Sequence, residues 1–436
     1  MTVISISVSI VTIMRTWTTQ MGARALQVLA QRHAGAGNTG STAARRALLL
    51  SGLGLSVLAA AQTDLAGCNN AQCDARYSPA YHGGNAFDDA AELDVTLDGE
   101  RFGLIQNSRA NGFTCATYKA NMPIEDRFDV KYTDSGDVFA TVLDGHGGWQ
   151  VSEYGSKVLI QNIQQELVHM GLSDEKQSEA AAAPMVAAAI QRGFARTDRD
   201  LMAQVLSAFK LGFGSVGRCG SCALLAYLHD NTLCVANAGD IRAVLGRKDG
   251  KDVIAVAMSN DQNAMSRFEQ EKLKREHPGE ENVFICRHPD SCYVKGALQP
   301  TRALGDFALK YSEFNGPPYV NGDRSAGRHI SPPYTPPYIT AIPEVRTHTL
   351  EETDQFLIIG SDGLWDYLSN EEAVEIVQEH VANGHRERAS RALVEKVLQK
   401  AAARYDMTYA ELLSLPPGSH RRRRHDDTTV VILYFE

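Results

Sequence analysis

The chain has 436 residues, of which 44% are hydrophobic and 22% charged, the composition of an ordinary globular protein. Its net charge of −9 is unevenly placed, because the first 66 residues carry five arginines and a single acid, Asp64, which leaves −13 for the remainder. This negative charge on the remainder of the chain argues against nucleic acid as its partner and is compatible with binding divalent cations.

Residues 1–66 are predicted to be a targeting region. No acid occurs before Asp64, and the segment is rich in Ser, Thr, Ala and Arg, which is typical of an organellar presequence. The apolar run at 47–61, preceded by Arg45 and Arg46, is shorter than the roughly 20 residues that a transmembrane helix needs. We therefore expect a mitochondrial protein, preferably of the matrix. A plastid address, a membrane anchor through the apolar run and a secretory signal remain alternatives.

The remaining chain divides into a predicted linker at 67–100 and a single domain at 101–436, with no internal repeat. Strand-like apolar runs recur along the domain: Val138–Leu143, Cys222–Leu228, Thr232–Ala236, Ile241–Leu245, Val253–Ala257, Phe356–Ile359 and Thr428–Phe435. Helical periodicity lies between them, at Ile160–Met170, Val186–Phe194, Val374–Val381 and Val394–Leu398. Because the helices come in pairs between groups of strands, the pattern favours an α+β fold with mainly antiparallel sheets.

Two charged or broken segments interrupt this pattern. Residues 312–342 are rich in Pro, Gly and Tyr and are predicted to form a loop insertion, either an ordered surface loop or a flap that faces the substrate. The basic run Arg421–Arg424 is expected to be a solvated turn.

The eight cysteines show no regular spacing. Cys68 with Cys73, and Cys219 with Cys222, have short spacings, but neither pair is matched by a second pair that would complete a zinc site. Most cysteines are therefore expected to be small core residues in a reducing compartment.

Carboxylates mark the ends of four of the apolar runs. Asp144 ends "VFATVLD", Asp362 and Asp366 follow "FLIIG", Asp426 precedes "TTVVIL", and Asp240 lies between two strands. One Asp-Gly pair is more often turn chemistry, but several acids at strand ends can converge on one sheet edge, where their repulsion requires cations. Ligands that are all oxygen suit Mg²⁺ or Mn²⁺, and two such ions about 3.5–4 Å apart can activate a water.

Seven motifs resemble, in their chain order, the metal-dependent Ser/Thr protein phosphatases of type 2C. They are "PIEDR" (123–127), "LDGHGG" (143–148), "GSCA" (220–223), "ANAGDIRAVLG" (236–246), "TRALGDF" (301–307), "SDGLWD" (361–366) and "DDTTVVIL" (426–433). The resemblance implies a four-layer α/β/β/α sandwich with two central, mainly antiparallel sheets. It also implies hydrolysis of phosphoserine and phosphothreonine by direct attack of a water that bridges two divalent metal ions.

The resemblance assigns roles to particular residues. The implied metal ligands are Asp144 as a bridge, the carbonyl of Gly145, Asp362, Asp426, Glu125 through a water, and Asp240 with Asp366 for a third ion. His146 matches the residue that protonates the leaving seryl or threonyl oxygen, although a turn histidine without a role is the alternative. Such an acid typically contributes about 10²–10⁴-fold.

One position departs from the family pattern. The arginine that usually grips phosphate four residues before the "ED" pair is replaced by Asn121. "NMPIEDR" instead resembles the mitochondrial pyruvate dehydrogenase phosphatase branch, which points to a subunit of that complex as substrate. Arg127 or Lys119 is then expected to contact phosphate.

Two rival functions share this fold. A pseudophosphatase scaffold would keep the fold without turnover, but such proteins normally lose a metal carboxylate, and Glu125, Asp144, Asp362 and Asp426 are all present. A small-molecule phosphatase is the other rival, and only the branch resemblance and the long loop argue for a protein substrate.

Overall fold

The computed structural model describes residues 95–172, 179–288, 291–316 and 329–435. These belong to a compact unit, Leu93–Glu436. The predicted targeting region and the first two cysteines lie outside the described residues. The predicted linker is described only from Val95, which is already buried, and the first strand begins at Gly99. No helix among the residues described is long and apolar enough to cross a membrane.

One antiparallel sheet has the strand order β1-β2-β14-β13-β7-β8. Its strands are β1 (Gly99–Leu104), β2 (Gly112–Tyr118), β7 (Arg242–Asp249), β8 (Asp252–Ala257), β13 (Asp354–Gly360) and β14 (Thr428–Tyr434). The C-terminal strand β14 therefore lies between β2 and β13 and is hydrogen-bonded on both sides.

The other large sheet has the order β12-β6-β5-β4-β3, and β11 pairs with β5. Its strands are β3 (Arg127–Tyr132), β4 (Val138–His146), β5 (Gly220–His229), β6 (Thr232–Ala238), β11 (Leu304–Gly305) and β12 (Glu344–Thr349). A separate hairpin consists of β9 (Phe284–His288) and β10 (Ser291–Val294).

Helices cover the outer faces of both sheets. The described helices are α1 (Gln150–His169), α2 (Glu179–Lys210), α3 (Arg267–Glu276), α4 (Asp362–Trp365), α5 (Asn370–Ala382), α6 (Ala389–Arg404), α7 (Tyr409–Ser414) and α8 (Ser419–Arg422). Helices α1 and α2 pack on the sheet that contains β4, and α5 and α6 pack on the sheet that contains β14. Short 3₁₀ turns lie at Gly214–Arg218, Phe307–Leu309, Ser312–Asn315 and Arg386–Arg388.

The main core fills the space between the two sheets. Fully buried apolar side chains from both sheets meet there, among them Val142, Leu224, Leu245, Ile359 and Val431. Alternate residues of the same strands face the helices, as expected where both faces of a strand are covered. The predicted four-layer α/β/β/α architecture is thereby confirmed.

The sequence-based elements are largely found where they were expected. Every predicted strand-like run overlaps a strand. A capping box begins α5, where Oγ of Ser369 accepts from the backbone N–H of Glu372. Of the loop insertion, residues 317–328 lie outside the described part. The described residues 329–342 contain no helix or strand.

Two details differ from the expectations. Cys286 and Cys292 form a disulfide across the β9–β10 hairpin, because the strand register places them opposite each other. The four other described cysteines are buried thiols, as predicted. Arg421 is not solvated but buried, because its guanidinium donates to three backbone carbonyls, those of Lys119, Leu413 and Leu415.

Candidate metal centre

Four carboxylates from different strands meet at one edge of the fold. Asp144 lies near the end of β4, Asp362 begins α4 just after β13, Asp426 precedes β14, and Asp240 lies between β6 and β7. The charges of Asp362, Asp426 and Asp240 all act on Asp144, so the side chains are close in space although they are far apart in sequence. The convergence expected from the sequence is thus a property of the fold.

Desolvation and repulsion act on these acids together. Burial, and then the charge of Asp362, raises the pKa of Asp144 well above its ordinary value. Burial, and then Asp426, does the same to the pKa of Asp362. Such acids resist ionisation unless a positive charge is supplied.

Asp126 is a further member that the sequence analysis did not single out. It is buried, and burial together with the charges of Asp427 and Asp426 raises its pKa well above normal. Its Oδ2 atom and the Oδ1 atom of Asp362 are buried without a hydrogen-bond partner. Buried carboxylate oxygens without donors are the kind of atom that a hard cation satisfies.

Asp427 organises the segment that carries Glu125. Its carboxylate accepts from the backbone N–H groups of Ala120 at 2.6 Å, Asn121 at 2.8 Å and Glu125 at 2.7 Å. The side-chain amide of Asn121 also donates to it, at 3.1 Å. Asp427 therefore fixes the loop before β3 against the start of β14. Burial, followed by the charge of Asp427, raises the pKa of Glu125 to about 7.

Close backbone packing explains the glycine that follows Asp144. A Cβ on Gly145 would lie 2.5 Å from the carbonyl oxygen of Glu125 and 2.9 Å from Oγ of Ser152. Any side chain here would push the Glu125 loop away from β4. Gly145 thus keeps the two acid-bearing segments together.

His146 is held by Asp306, a partner that the sequence analysis missed. Nε2 of His146 lies 2.6 Å from Oδ2 of Asp306, which is nearly buried. Burial alone would lower the pKa of His146, but the charge and hydrogen bond of Asp306 outweigh it, and the net pKa is raised. A Cβ on Gly220 would lie within 2.4 Å of both side chains, so the strand opposite needs a glycine.

A buried ion pair supports the Asp306 turn from behind. Nζ of Lys310 lies 2.8 Å from both carboxylate oxygens of Asp198, and Asp198 also accepts from the backbone N–H of Gly305. Asp306 itself has a positive φ of 50°. The ion pair therefore supports the turn in which Asp306, the partner of His146, holds its positive φ.

The two acids assigned to a third ion have different surroundings. Asp240 accepts from Sγ of Cys222 at 3.1 Å. Burial raises the pKa of Asp366, while the positive charges of Arg404, Arg422 and Arg242 oppose that rise. The negative charge of Asp366 is therefore opposed by nearby arginines, whereas Asp240 receives a hydrogen bond from a neutral thiol.

The two residues expected to contact phosphate are engaged by other groups. Nζ of Lys119 lies 2.6 Å from Asp98. Nε of Arg127 lies 2.6 Å from Glu153, and its Nη1 donates to the backbone carbonyls of Ile124 and Asp126.

The donor set fits hard divalent cations. It offers only oxygen atoms, with two orphaned carboxylate oxygens and mutual repulsion that a cation would relieve. Within the described part of the chain, no three His, Cys, Asp or Glu side chains are arranged tightly enough to hold an ion. The support for a cation is therefore the chemistry of these acids.

Comparison with known proteins gives the same assignment for most of the chain. The family model for protein phosphatase 2C matches residues 99–405. Probable protein phosphatase 2C 64 of Arabidopsis thaliana is 34% identical over 318 residues, 71% of this chain and 74% of that protein. Probable protein phosphatase 2C 46 of the same plant is 32% identical over 352 residues, 79% and 86% respectively.

A solved structure agrees at the level of the fold. The serine-threonine phosphatase 2C from Toxoplasma gondii matches with a TM-score of 0.54 and 18% identity, covering 77% of this chain and 98% of that one. At this identity the likeness supports the layered architecture.

Proposed function

This chain belongs to the protein phosphatase 2C family and is a metal-dependent serine/threonine phosphatase, and we propose that it acts on a mitochondrial phosphoprotein such as a pyruvate dehydrogenase subunit. The observation that carries the chemistry is the set of converging acids, whose charges act on one another at the edge of the two sheets. The acids that an inactive scaffold would normally lack are all present, which disfavours that alternative: Glu125, Asp144, Asp362 and Asp426.

The acids have separate tasks in the proposed reaction. Asp144, Asp362 and Asp426 would hold two Mg²⁺ or Mn²⁺ ions, with the carbonyl of Gly145 and, through water, Glu125. When bound, such ions lower the pKa of water and offset the charge of the phosphoryl group. Asp427 and Gly145 keep the Glu125 segment in place.

His146 supplies the proton in this proposal. The serine alkoxide is a poor leaving group, so it must be protonated as the bond to phosphorus breaks. Asp306 orients Nε2, and its charge and hydrogen bond raise the pKa of His146 against the effect of burial, which favours the charged imidazole. No covalent phosphoenzyme is required, because water attacks the phosphorus directly.

The mitochondrial part of the proposal is supported by the sequence alone. The first 63 residues lack any acid and carry five arginines, and "NMPIEDR" is similar to the pyruvate dehydrogenase phosphatase branch. A phosphorylated matrix enzyme is the substrate class that joins these two features.

Two measurements test location and substrate. Residues 1–66 fused to a fluorescent protein should enter mitochondria, and the same fusion with its five arginines changed to glutamine should not. In organelles lacking this protein, phosphorylated pyruvate dehydrogenase should accumulate in a phosphoproteomic comparison. Import into plastids, or unchanged phosphorylation of that complex, would contradict the proposal.

A further inference from the structure

Binding of phosphate calls for a positively charged side chain, and position 121, where the family usually has arginine, does not supply one. Asn121 stands where the family commonly has arginine, and its neutral amide donates to Oδ1 of Asp426 at 3.4 Å and to Oδ2 of Asp427 at 3.1 Å. An amide engaged with carboxylates cannot balance the charge of a phosphate dianion. Another side chain must do so if the site binds phosphate as tightly as its relatives.

Most candidate cations near the centre are held by acids outside the predicted ligand set. Lys119 pairs with Asp98, and Arg127 pairs with Glu153. Arg242 donates twice to the carboxylate of Asp261, through Nε at 3.1 Å and Nη2 at 2.6 Å, and it also bonds to Asn370. Moving any of these toward phosphate would break an established ion pair.

Arg422 differs because its partner is a predicted metal ligand. Its Nη2 lies 2.5 Å from Oδ2 of Asp426. The charges of Asp426, Asp362 and Asp144 all act on this guanidinium, so it lies near the centre. Once an oxygen of Asp426 ligates a cation, it would no longer accept a hydrogen bond from Arg422. The N–H donors of Arg422 could then bind a phosphate next to the metal centre.

Exposure and position also suit contact with a substrate. The Arg422 side chain is 50% exposed, whereas that of Asp426 is 17% exposed. The guanidinium therefore stands at the solvent side of the acids, where a phosphorylated side chain would arrive. It sits on α8, directly after the buried Arg421, whose bonds to three carbonyls fix the base of this short helix.

We propose that Arg422 is the phosphate-binding residue of this enzyme, replacing from the C-terminal segment the arginine that is absent at Asn121. The inference rests on the proposed function. Arg422 and phosphate would form charge-assisted N–H···O hydrogen bonds, which a planar guanidinium can make in pairs. The recognised group is the phosphate of the substrate, and also free inorganic phosphate as product.

The test compares Arg422→Gln with a matched neighbour. Arg423 is exposed on the same turn, so Arg423→Gln removes the same charge one residue away. With Mg²⁺ present, the KM for a phosphoserine peptide and the inhibition constant of inorganic phosphate should both rise about ten- to hundredfold in Arg422→Gln, the range for losing hydrogen bonds to a charged group. Arg423→Gln should change neither by more than about twofold, and Arg422→Lys should fall between.

A binding measurement without turnover separates phosphate contact from support of the metal ligands. Calorimetric titration of the metal-free protein with Mg²⁺ should show affinity in Arg422→Gln that is unchanged or tighter, because Asp426 loses a competing partner. The double variant Asn121→Arg/Arg422→Gln should regain phosphate affinity. Thermal melting checks that each variant folds.

Three outcomes would overturn the assignment: phosphate affinity within about twofold of wild type in Arg422→Gln, an equal loss in Arg423→Gln, or a large fall in Mg²⁺ affinity that accompanies the loss of phosphate binding. Phosphate binding is measured by calorimetry on the Mg²⁺-loaded protein, so the result stands apart from catalysis. A wild-type protein that binds phosphate through Arg422 but hydrolyses no phosphopeptide would contradict the proposed function alone.

Discussion

At the scale of single residues, burial and the neighbouring acids oppose the charge of Asp144, which a bound cation would stabilise. Changing Asp144 to Asn keeps the size of the side chain and removes one of several mutually repelling charges. We expect hydrolysis of p-nitrophenyl phosphate in Mn²⁺ buffer to fall by about 10³-fold or more, since metal ions supply several kcal/mol of transition-state stabilisation. The measurement is kcat over a Mn²⁺ titration.

Thermal melting distinguishes a loss of activity in Asp144→Asn from misfolding of that variant. In EDTA, the Asp144→Asn protein should melt no lower than the wild type, because a repulsive charge has been removed. Chelation should also abolish wild-type activity, and added Mn²⁺ should restore it. Full activity in Asp144→Asn would refute the role of this carboxylate as a bridge.

The role of His146 is tested by the leaving group. In His146→Ala, hydrolysis of a phosphoserine peptide should slow by about 10²–10⁴-fold, the usual contribution of a positioned acid. Hydrolysis of p-nitrophenyl phosphate should slow much less, because nitrophenolate leaves without protonation. The ratio of the two kcat values is the measurement, and equal losses would rule out proton donation.

Asp306→Asn is the companion variant for the same experiment. It removes the charge that raises the pKa of His146 but leaves the imidazole in place. The same selectivity for poor leaving groups should appear in a milder form. A loss that is equal for both substrates would show that Asp306 acts only on local structure.

The sequence predicts the ligands of this site better than their supports. Asp144, Asp362 and Asp426 are recognisable because each lies at or next to the end of an apolar run. Asp306 lies in a turn, and nothing local indicates that it reaches a histidine 160 positions earlier in the chain. The hydrogen bonds of Asp427 to the Glu125 segment likewise exist only because β14 is inserted beside β2.

At the scale of elements, a buried carboxylate connects β13 with its neighbours. Asp354 is fully buried and accepts from Nε of Arg247 at 2.7 Å and from His348 at 2.7 Å. Burial would raise the pKa of Asp354, but the bonds from Arg247, the Glu351 backbone and His348 lower it. A lowered carboxyl pKa contributes stability above the unfolded-state value of about 3.9 and loses it as the pH falls through the folded-state value.

Asp354→Asn should therefore lower the free energy of unfolding at pH 7 by about 2–3 kcal/mol, somewhat less than for a fully buried pair because Arg247 is 26% exposed. Below about pH 4 the difference from wild type should shrink, because the unfolded wild-type chain then binds a proton at Asp354, and it should vanish once the pH falls through the lowered folded-state pKa. Urea unfolding of both proteins at several pH values measures this difference in the free energy of unfolding. Asp252→Asn, an exposed site on β8, is the control. A difference that does not change with pH would contradict the ionic role of Asp354.

Seven of the fourteen described strands are predictable as apolar runs, but the order of the strands is not. Runs such as Val138–Leu143 and Thr428–Phe435 contain only apolar residues and threonine, which indicates burial on both faces. The same runs do not specify neighbours, since a continuous apolar strand can pair on either edge. β1 and β12 were not predicted because most of their residues are polar or partly exposed, which is common for strands at sheet edges.

At the scale of the whole molecule, the C-terminal segment completes both the sheet and the site. The match to the protein phosphatase 2C family ends at residue 405, yet β14 lies beyond it and pairs with both β2 and β13. Val430, Val431, Ile432 and Leu433 are fully buried between the layers. Asp426, a predicted metal ligand, and Arg422 precede this strand.

A chain that ends at residue 405 should therefore fail to fold, although it contains the whole matched region. Removing β14 leaves the facing edges of β2 and β13 without their hydrogen-bond partners. It also deletes four fully buried aliphatic side chains, each worth about 1.5–3 kcal/mol of burial. Their total, about 6–12 kcal/mol, is comparable with the roughly 5–15 kcal/mol by which a domain of this kind is stable. The control lacks residues 1–92 and keeps the compact unit Leu93–Glu436, so it should remain folded and active. Circular dichroism melting and Mn²⁺-dependent hydrolysis compare the two, and a cooperative melt in the chain ending at 405 would show that β14 is dispensable for the fold.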